Sequence, residues 1–332
     1  MVVNPLKRAN FNISPSTLLD WVSQEYALGA VKDYHLMTGG LTEINFKLVT
    51  DQGHYLVKVF PDKDEARVKD ILSSILALFN EGIPVPKVYP SRQGWRYFKI
   101  DPSQDKQQLI GCVLSWFEGH DLVGETITHE QLRTISRWLA KINRLKLPIR
   151  TVYDPWFTTN LPFEFHNKAQ FVPRDKYISI IEDIVDRLNG LDISQLHTGT
   201  VHGDLHREHV LQSKSGICVI DFGALNEGQI VIDLAIAMSH FCLDLDSFSP
   251  ARFLDSYRTM LNEYLDYGEL PIYEIKSLPL LVKASYAAYY VEGYFSYVIH
   301  EEEHAMYWID IGKRGLEFVY PIEDNEFAQA VA

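Results

Sequence analysis

The 332-residue chain is short of cysteine, of basic charge and of long apolar runs. Its three cysteines, Cys112, Cys218 and Cys242, form no CxxC pair, and each has apolar neighbours. They read as buried reduced thiols of a cytoplasmic protein. No stretch approaches the roughly 20 uninterrupted apolar residues that a bilayer span needs, so no membrane partner is expected. The N-terminal MVVNPLKRANFNIS has no long apolar core and does not read as a signal peptide. Lys and Arg total 31 against 44 Asp and Glu, a net charge of −13. A duplex-binding surface needs clustered cations to neutralise phosphates, so nucleic acid is not expected as the main partner. The balance suits a neutral or cationic small substrate, or serves solubility alone. Internal repeats and low-complexity tracts are also absent.

What is present divides in two. Residues 15–27 have helical spacing through Leu18, Leu19, Trp21, Val22 and Tyr26. Tyr34–Met37, Asn45–Thr50 and Tyr55–Phe60 read as strands, with turns at Gly39-Gly40 and Asp51-Gln52-Gly53. Residues 63–81 return to a helical period through Val68, Ile71, Leu72, Ile75, Leu76 and Phe79. Gly82 closes that helix, and Pro84 and Pro86 prevent its continuation. Strands follow near Trp95–Ile100 and Leu109–Trp116. Beyond Gly119 helices dominate. Thr128 and Gln131 match a capping box, and helices are expected near 175–190, 231–243, 250–266 and 274–300. The expectation is an α+β protein: a small antiparallel-sheet lobe over residues 1–116 and a larger helical lobe over 117–332, with a cleft between.

The strongest chemical signal is His202-Gly203-Asp204-Leu205-His206-Arg207-Glu208-His209, followed by Val219-Ile220-Asp221-Phe222-Gly223. Phosphoryl transfer needs one carboxylate to orient the attacking hydroxyl and another to hold Mg²⁺ against the phosphates. The intervening VLQSKSGICVI reads as a hairpin turning at Lys214–Gly216, which would return Asp221 beside Asp204. Either Asp taken alone would be an ordinary turn residue. Upstream, Thr38–Asn45 joins two strands, and its Gly39, Gly40, Thr42 and Asn45 are candidates to meet phosphates through a glycine-containing turn. Such turns are also common in plain hairpins. Lys58 stands in an otherwise apolar strand as a candidate phosphate clamp, although an edge charge is the usual reading. Its expected carboxylate partner is Glu65, with Asp70 in competition. Trp116 and Phe117, in LSWFEG, offer apolar faces and extended backbone to an adenine edge, or mark a simple strand-to-loop junction.

These residues resemble the aminoglycoside phosphotransferase superfamily, which includes homoserine, choline and methylthioribose kinases and has a two-lobed protein-kinase-like fold. The similarity runs from about Tyr34 to Tyr320 through GGLTEINFKL, LVKVF, GIPVPKV, LSWFEG, LAKINRL, HGDLHREHV and VIDFGALNEGQIVIDLA. It implies ATP or GTP with Mg²⁺ as cofactors and a hydroxylated small molecule as acceptor. It also implies Asp204 as catalytic base, Asp221 as main metal ligand, Lys58 as phosphate clamp and Asp233 as a buried structural residue. Two positions depart from the family pattern. His209 replaces the usual Asn metal ligand, as in macrolide phosphotransferases, whose loop is similar to HGDLxxxH. Asn143 stands where many relatives have His. The expected activity is O-phosphorylation of an aminoglycoside, macrolide, amino alcohol or hydroxy amino acid. The alternative is a regulatory pseudokinase, for which His209 is the main support.

Two further patterns invite functional readings. His300-Glu301-Glu302-Glu303-His304 satisfies HExxH, which on a helix would place His300 and His304 on one face for zinc, with Glu301 as base. It equally describes a solvated acidic helix end. Tyr286, Tyr289, Tyr290, Tyr294 and Tyr297 recur at helical spacing around Glu292, as core packing or as an aromatic wall for a cationic or sugar-like acceptor.

Overall fold

The computed structural model describes residues 6, 13–37, 43–100, 108–214, 216–244 and 247–331. It divides into two units, 1–120 with 211–220, and 121–210 with 221–332.

In the first unit the chain order of apolar residues becomes an antiparallel sheet. Its strands are β1 (Val31–Met37), β2 (Ile44–Thr50), β3 (Gly53–Phe60), β4 (Val88–Tyr89), β5 (Phe98–Ile100) and β6 (Leu109–Ser115). They run in the order β1-β2-β3-β6-β4, with β5 also on β6. The period-2 pattern of β2 buries Ile44, Phe46, Leu48 and Thr50 on one face. Helix α1 (Pro15–Glu25) adds Leu18, Leu19 and Val22 to that core, which Val57, Val59 and Val113 complete. Helix α2 (Glu65–Asn80) starts at Asp64, whose carboxylate accepts the Arg67 N–H. It buries Leu78 and leaves Phe79 exposed, the reverse of the expected register at its last turn. Gly82 then takes a left-handed φ of +73°, and the Ile83 N–H returns to the Leu78 carbonyl.

The boundary differs from the expected one. His120 exchanges both main-chain hydrogen bonds with Gln212, and the Val219 N–H reaches the Pro84 carbonyl. The two-stranded sheet of β8 (Val210–Ser213) and β9 (Gly216–Val219) is thereby tied mainly to the first unit.

The second unit is helical. Helix α3 (His129–Arg144) opens with the expected Thr128–Gln131 capping box. It is followed by α4 (Leu161–Lys168), α5 (Lys176–Asn189), α6 (Ile230–Phe241), α7 (Pro250–Tyr267), α8 (Ile272–Ile299), α9 (Ala305–Phe318) and α10 (Asp324–Val331). Helix α6 is buried over most of its circumference, as its nearly all-apolar sequence requires. Strands β7 (Thr198–Val201) and β10 (Asn226–Gln229) pair antiparallel and bracket the His202–Leu225 segment. Helix α9 lies close against α8 because Gly312 and Gly315 lack side chains. A Cβ at Gly315 would come within 2.1 Å of the Tyr286 ring. None of the described helices is long and apolar enough to cross a membrane.

Candidate active site

The 202–209 segment leaves β7 and is held from beneath by one buried carboxylate. Asp233, on α6 and fully buried, accepts the His202 and Gly203 N–H groups at 2.9 Å each. It also accepts Asn143 Nδ2 at 2.7 Å. Asn143 donates as well to the Thr200 carbonyl and accepts the Tyr264 hydroxyl, both at 2.9 Å. Burial pushes the Asp233 carboxyl up to about 6, against the pull of Asn143, Gly203 and His202. Gly203 is required here. Its φ is +81°, and a Cβ would stand 2.6 Å from the Ala224 carbonyl oxygen. Arg207 fixes the other end. Its guanidinium donates to the carbonyls of His240, Leu243, Glu125 and Leu122. It thus satisfies carbonyls around the end of α6 and in the 122–125 stretch.

On this framework four side chains come together. His209 Nδ1 lies 3.6 Å from Asp204 Oδ2, and His209 Nε2 lies 3.8 Å from Asp221 Oδ2. His206 Nε2 is 3.6 Å from Asp204 Oδ1. Burial would raise the Asp204 carboxyl, but His206, His209 and His202 draw it well below the ordinary carboxylate range. Its side chain remains 43% exposed, so the ionised group faces solvent. Asp221 adopts a left-handed φ of +60°, uncommon for a residue other than glycine, and its Oδ1 accepts the Gly223 N–H. His240 packs on His206 and Trp308, and burial holds its imidazole well below its usual value.

In the first unit Lys58 lies on β3, cross-strand from Asn45 and Cys112. Its Nζ is 3.9 Å from Glu43, a buried carboxylate that also holds Lys63 at 2.9 Å. Glu65 is engaged elsewhere, with Lys69, Lys99 and Tyr97 at 2.6–2.7 Å. The expected Lys58–Glu65 pair is therefore corrected: Glu65 faces the cations of its own next turn and of β5. Sequence reasoning missed Glu43 because it lies before β2, outside the helix where a partner was sought. Gly39, Gly40 and Thr42 lie outside the described residues. Among the described residues, the buried Asn45 Oδ1 has no hydrogen-bond partner. Trp116 lies under the Lys47 ammonium at 4.4 Å, and Phe117 is half-buried.

The sequence profile of the phosphotransferase enzyme family matches residues 34–270. The chain belongs to that family. Within this family of kinase-type small-molecule phosphotransferases, it is 21% identical over 259 residues to a homoserine kinase of Methylobacillus flagellatus, covering 75% of this chain and 76% of that one. It is 23% identical over 267 residues to a homoserine kinase of Caulobacter vibrioides, covering 78% and 80%. Among solved structures, an amicoumacin kinase in complex with AMP-PNP, Ca²⁺ and Ami superposes with a TM-score of 0.71 at 14% identity, covering 96% and 99%. A microcompartment-associated aminopropanol kinase superposes with a TM-score of 0.62 at 17% identity, covering 94% and 98%. The expected sheet-plus-helix, kinase-like architecture is that of these neighbours.

The HExxH reading is corrected. Helix α8 ends at Ile299, Glu301 has φ +54°, and α9 begins only at Ala305. His300 and His304 therefore flank a break instead of sharing one helical face. His300 rests on Phe295, and His304 stacks on Tyr307. In the tyrosine series, Tyr286, Tyr289 and Tyr290 are core residues and Tyr297 is exposed. Glu292 is buried against Lys168, which Glu164 also holds at 2.6 Å.

Proposed function

We propose that the chain moves the γ-phosphoryl group of ATP or GTP onto a hydroxyl of a small molecule. The observation that carries this reading is the grouping of Asp204, His209 and Asp221 above the Asp233 framework. The acceptor hydroxyl donates to Asp204, which orients its oxygen for attack and takes the proton as the new bond forms. The lowered carboxyl keeps Asp204 ionised, so it can accept that hydrogen bond. Asp221 and His209 are suited to hold a divalent ion, since their Oδ2 and Nε2 atoms lie close together without being bonded to one another. When bound, such an ion neutralises charge on the phosphates.

Lys58 is assigned to the phosphates, and Asn45 Oδ1, which has no hydrogen-bond partner among the described residues, is a second polar group for the nucleotide. Gly39, Gly40 and Thr42 stay assigned to phosphate contact and Trp116 with Phe117 to the base. Glu65 leaves the assignment and Glu43 enters it. On this reading the first unit binds nucleotide and the second carries the catalytic groups and the acceptor. Homoserine and aminopropanol, named for the relatives, set the acceptor class to test first: small amino alcohols and hydroxy amino acids, then hydroxylated antibiotics.

The test is a panel of these acceptors with ATP and with GTP, scored for acceptor-dependent nucleotide hydrolysis and phosphorylated product. One acceptor giving transfer that Asp204→Ala abolishes supports the reading. Nucleotide binding with no transfer across the panel favours the pseudokinase. Transfer that survives Asp204→Ala removes Asp204 from its role.

A further inference from the structure

The hydrogen bonds around the catalytic segment fix the tautomers of its histidines. His209 Nδ1 is 2.7 Å from the main-chain oxygen of Asp204. A carbonyl only accepts, so Nδ1 carries the proton and neutral His209 presents its lone pair at Nε2. That nitrogen is 3.8 Å from Asp221 Oδ2, too far for a hydrogen bond. These two atoms would hold a divalent ion, offering it one oxygen and one nitrogen ligand. His206 is set the opposite way. Its Nδ1 accepts the Glu208 N–H at 3.3 Å, so its proton is on Nε2, facing Asp204. Asp204, His206 and His209 offer atoms within 4.8 Å of one another. The tautomers nonetheless remove His206 as a ligand and leave one imidazole nitrogen, that of His209. The Nδ1–H···O=C bond also orients the ring.

Resting on the phosphotransferase reading, we propose that this nitrogen makes the site select a transition-metal dication, such as manganese, over magnesium. Magnesium takes oxygen ligands in strict octahedra and sheds water reluctantly. Manganese accepts both carboxylate oxygen and imidazole nitrogen, and later ions in the series bind nitrogen more tightly still.

The experiment uses the full chain with Mn²⁺ and AMP-PNP, read by pulsed electron paramagnetic resonance. The expected result is nitrogen modulation of the Mn²⁺ signal that changes frequency when histidine alone is labelled with ¹⁵N, and that vanishes in His209→Asn. Displacing Mn²⁺ from the native chain should take about tenfold more Mg²⁺ than displacing it from His209→Asn. Mn²⁺ bound with nucleotide but showing no histidine modulation overturns the inference and leaves the phosphotransferase reading standing. Equal displacement by Mg²⁺ in both proteins overturns the selectivity. Failure of either ion to support nucleotide binding overturns the reading beneath it. Should His209→Asn not fold, the isotope exchange in the native chain still decides.

Discussion

The stretches 202–209 and 300–304 have similar composition, histidines beside carboxylates, and both belong to the second unit. The first has its main chain bonded to a buried aspartate and its arginine spent on four carbonyls. The second is an interruption between two helices, where exposed His300 rests on Phe295 and exposed His304 stacks on Tyr307 and lies 4.0 Å from Glu208. Residue types alone therefore do not make a site. The difference is the set of buried polar groups that leave the first segment one conformation.

The largest effect expected from this comparison is at Asp204. Asp204→Asn should lower kcat by about 10²–10⁴, the usual contribution of a positioned base, with the melting temperature unchanged. Loss of stability alongside activity would show that the carboxylate supports the loop instead. Next is the framework. Asp233→Ala leaves the His202 and Gly203 N–H groups and the Asn143 amide without their acceptor. It should cost about 3 kcal/mol or more in urea unfolding. A cost under about 1 kcal/mol would break the comparison at its base.

The same rule extends to α8, which leads into the second segment. Burial raises the Glu292 carboxyl to about 7, although Lys168 opposes the shift. The folded chain thus keeps a proton that the unfolded chain releases near the ordinary glutamate value. Glu292 should make stability fall as pH rises from about 4.5 to 7. Glu292→Gln should flatten that slope in melting temperatures taken across the range, while Lys168 keeps Glu164. An unchanged slope would mean that Glu292 is ionised throughout. The smallest effect belongs to His300→Ala with His304→Ala, where turnover should stay within about twofold and stability within about 0.5 kcal/mol. Zinc bound stoichiometrically by the native chain and lost in this double variant would restore the metal site that the helix break argues against.

These contrasts explain what was legible in the sequence. The hairpin between Asp204 and Asp221 was legible from its turn residues and apolar flanks, while His209 entered through the family resemblance. The early sheet was legible from its period-2 alternation. Asn143 and Asp233 were singled out separately, but their bond joins positions 90 residues apart and no local pattern announces it. Glu43 escaped for a related reason, since the sequence does not say which carboxylate a strand lysine meets. Helix α9 escaped because Gly312 and Gly315 are poor helix formers, and packing against α8 supplies what propensity does not. The end of α2 was misread by one residue, which on a helix turns a side chain by about 100° and is enough to exchange Leu78 for Phe79.

The missing side chain at position 315 has a reach beyond its own helix. The Tyr286 ring that fills the vacant volume sends its hydroxyl to the Ser239 carbonyl, on the helix that bears Asp233. One methyl group at this position would push first on a phenol and then on the support of the 202–209 loop. Such a change would appear in an activity screen as a catalytic lesion with no altered catalytic residue.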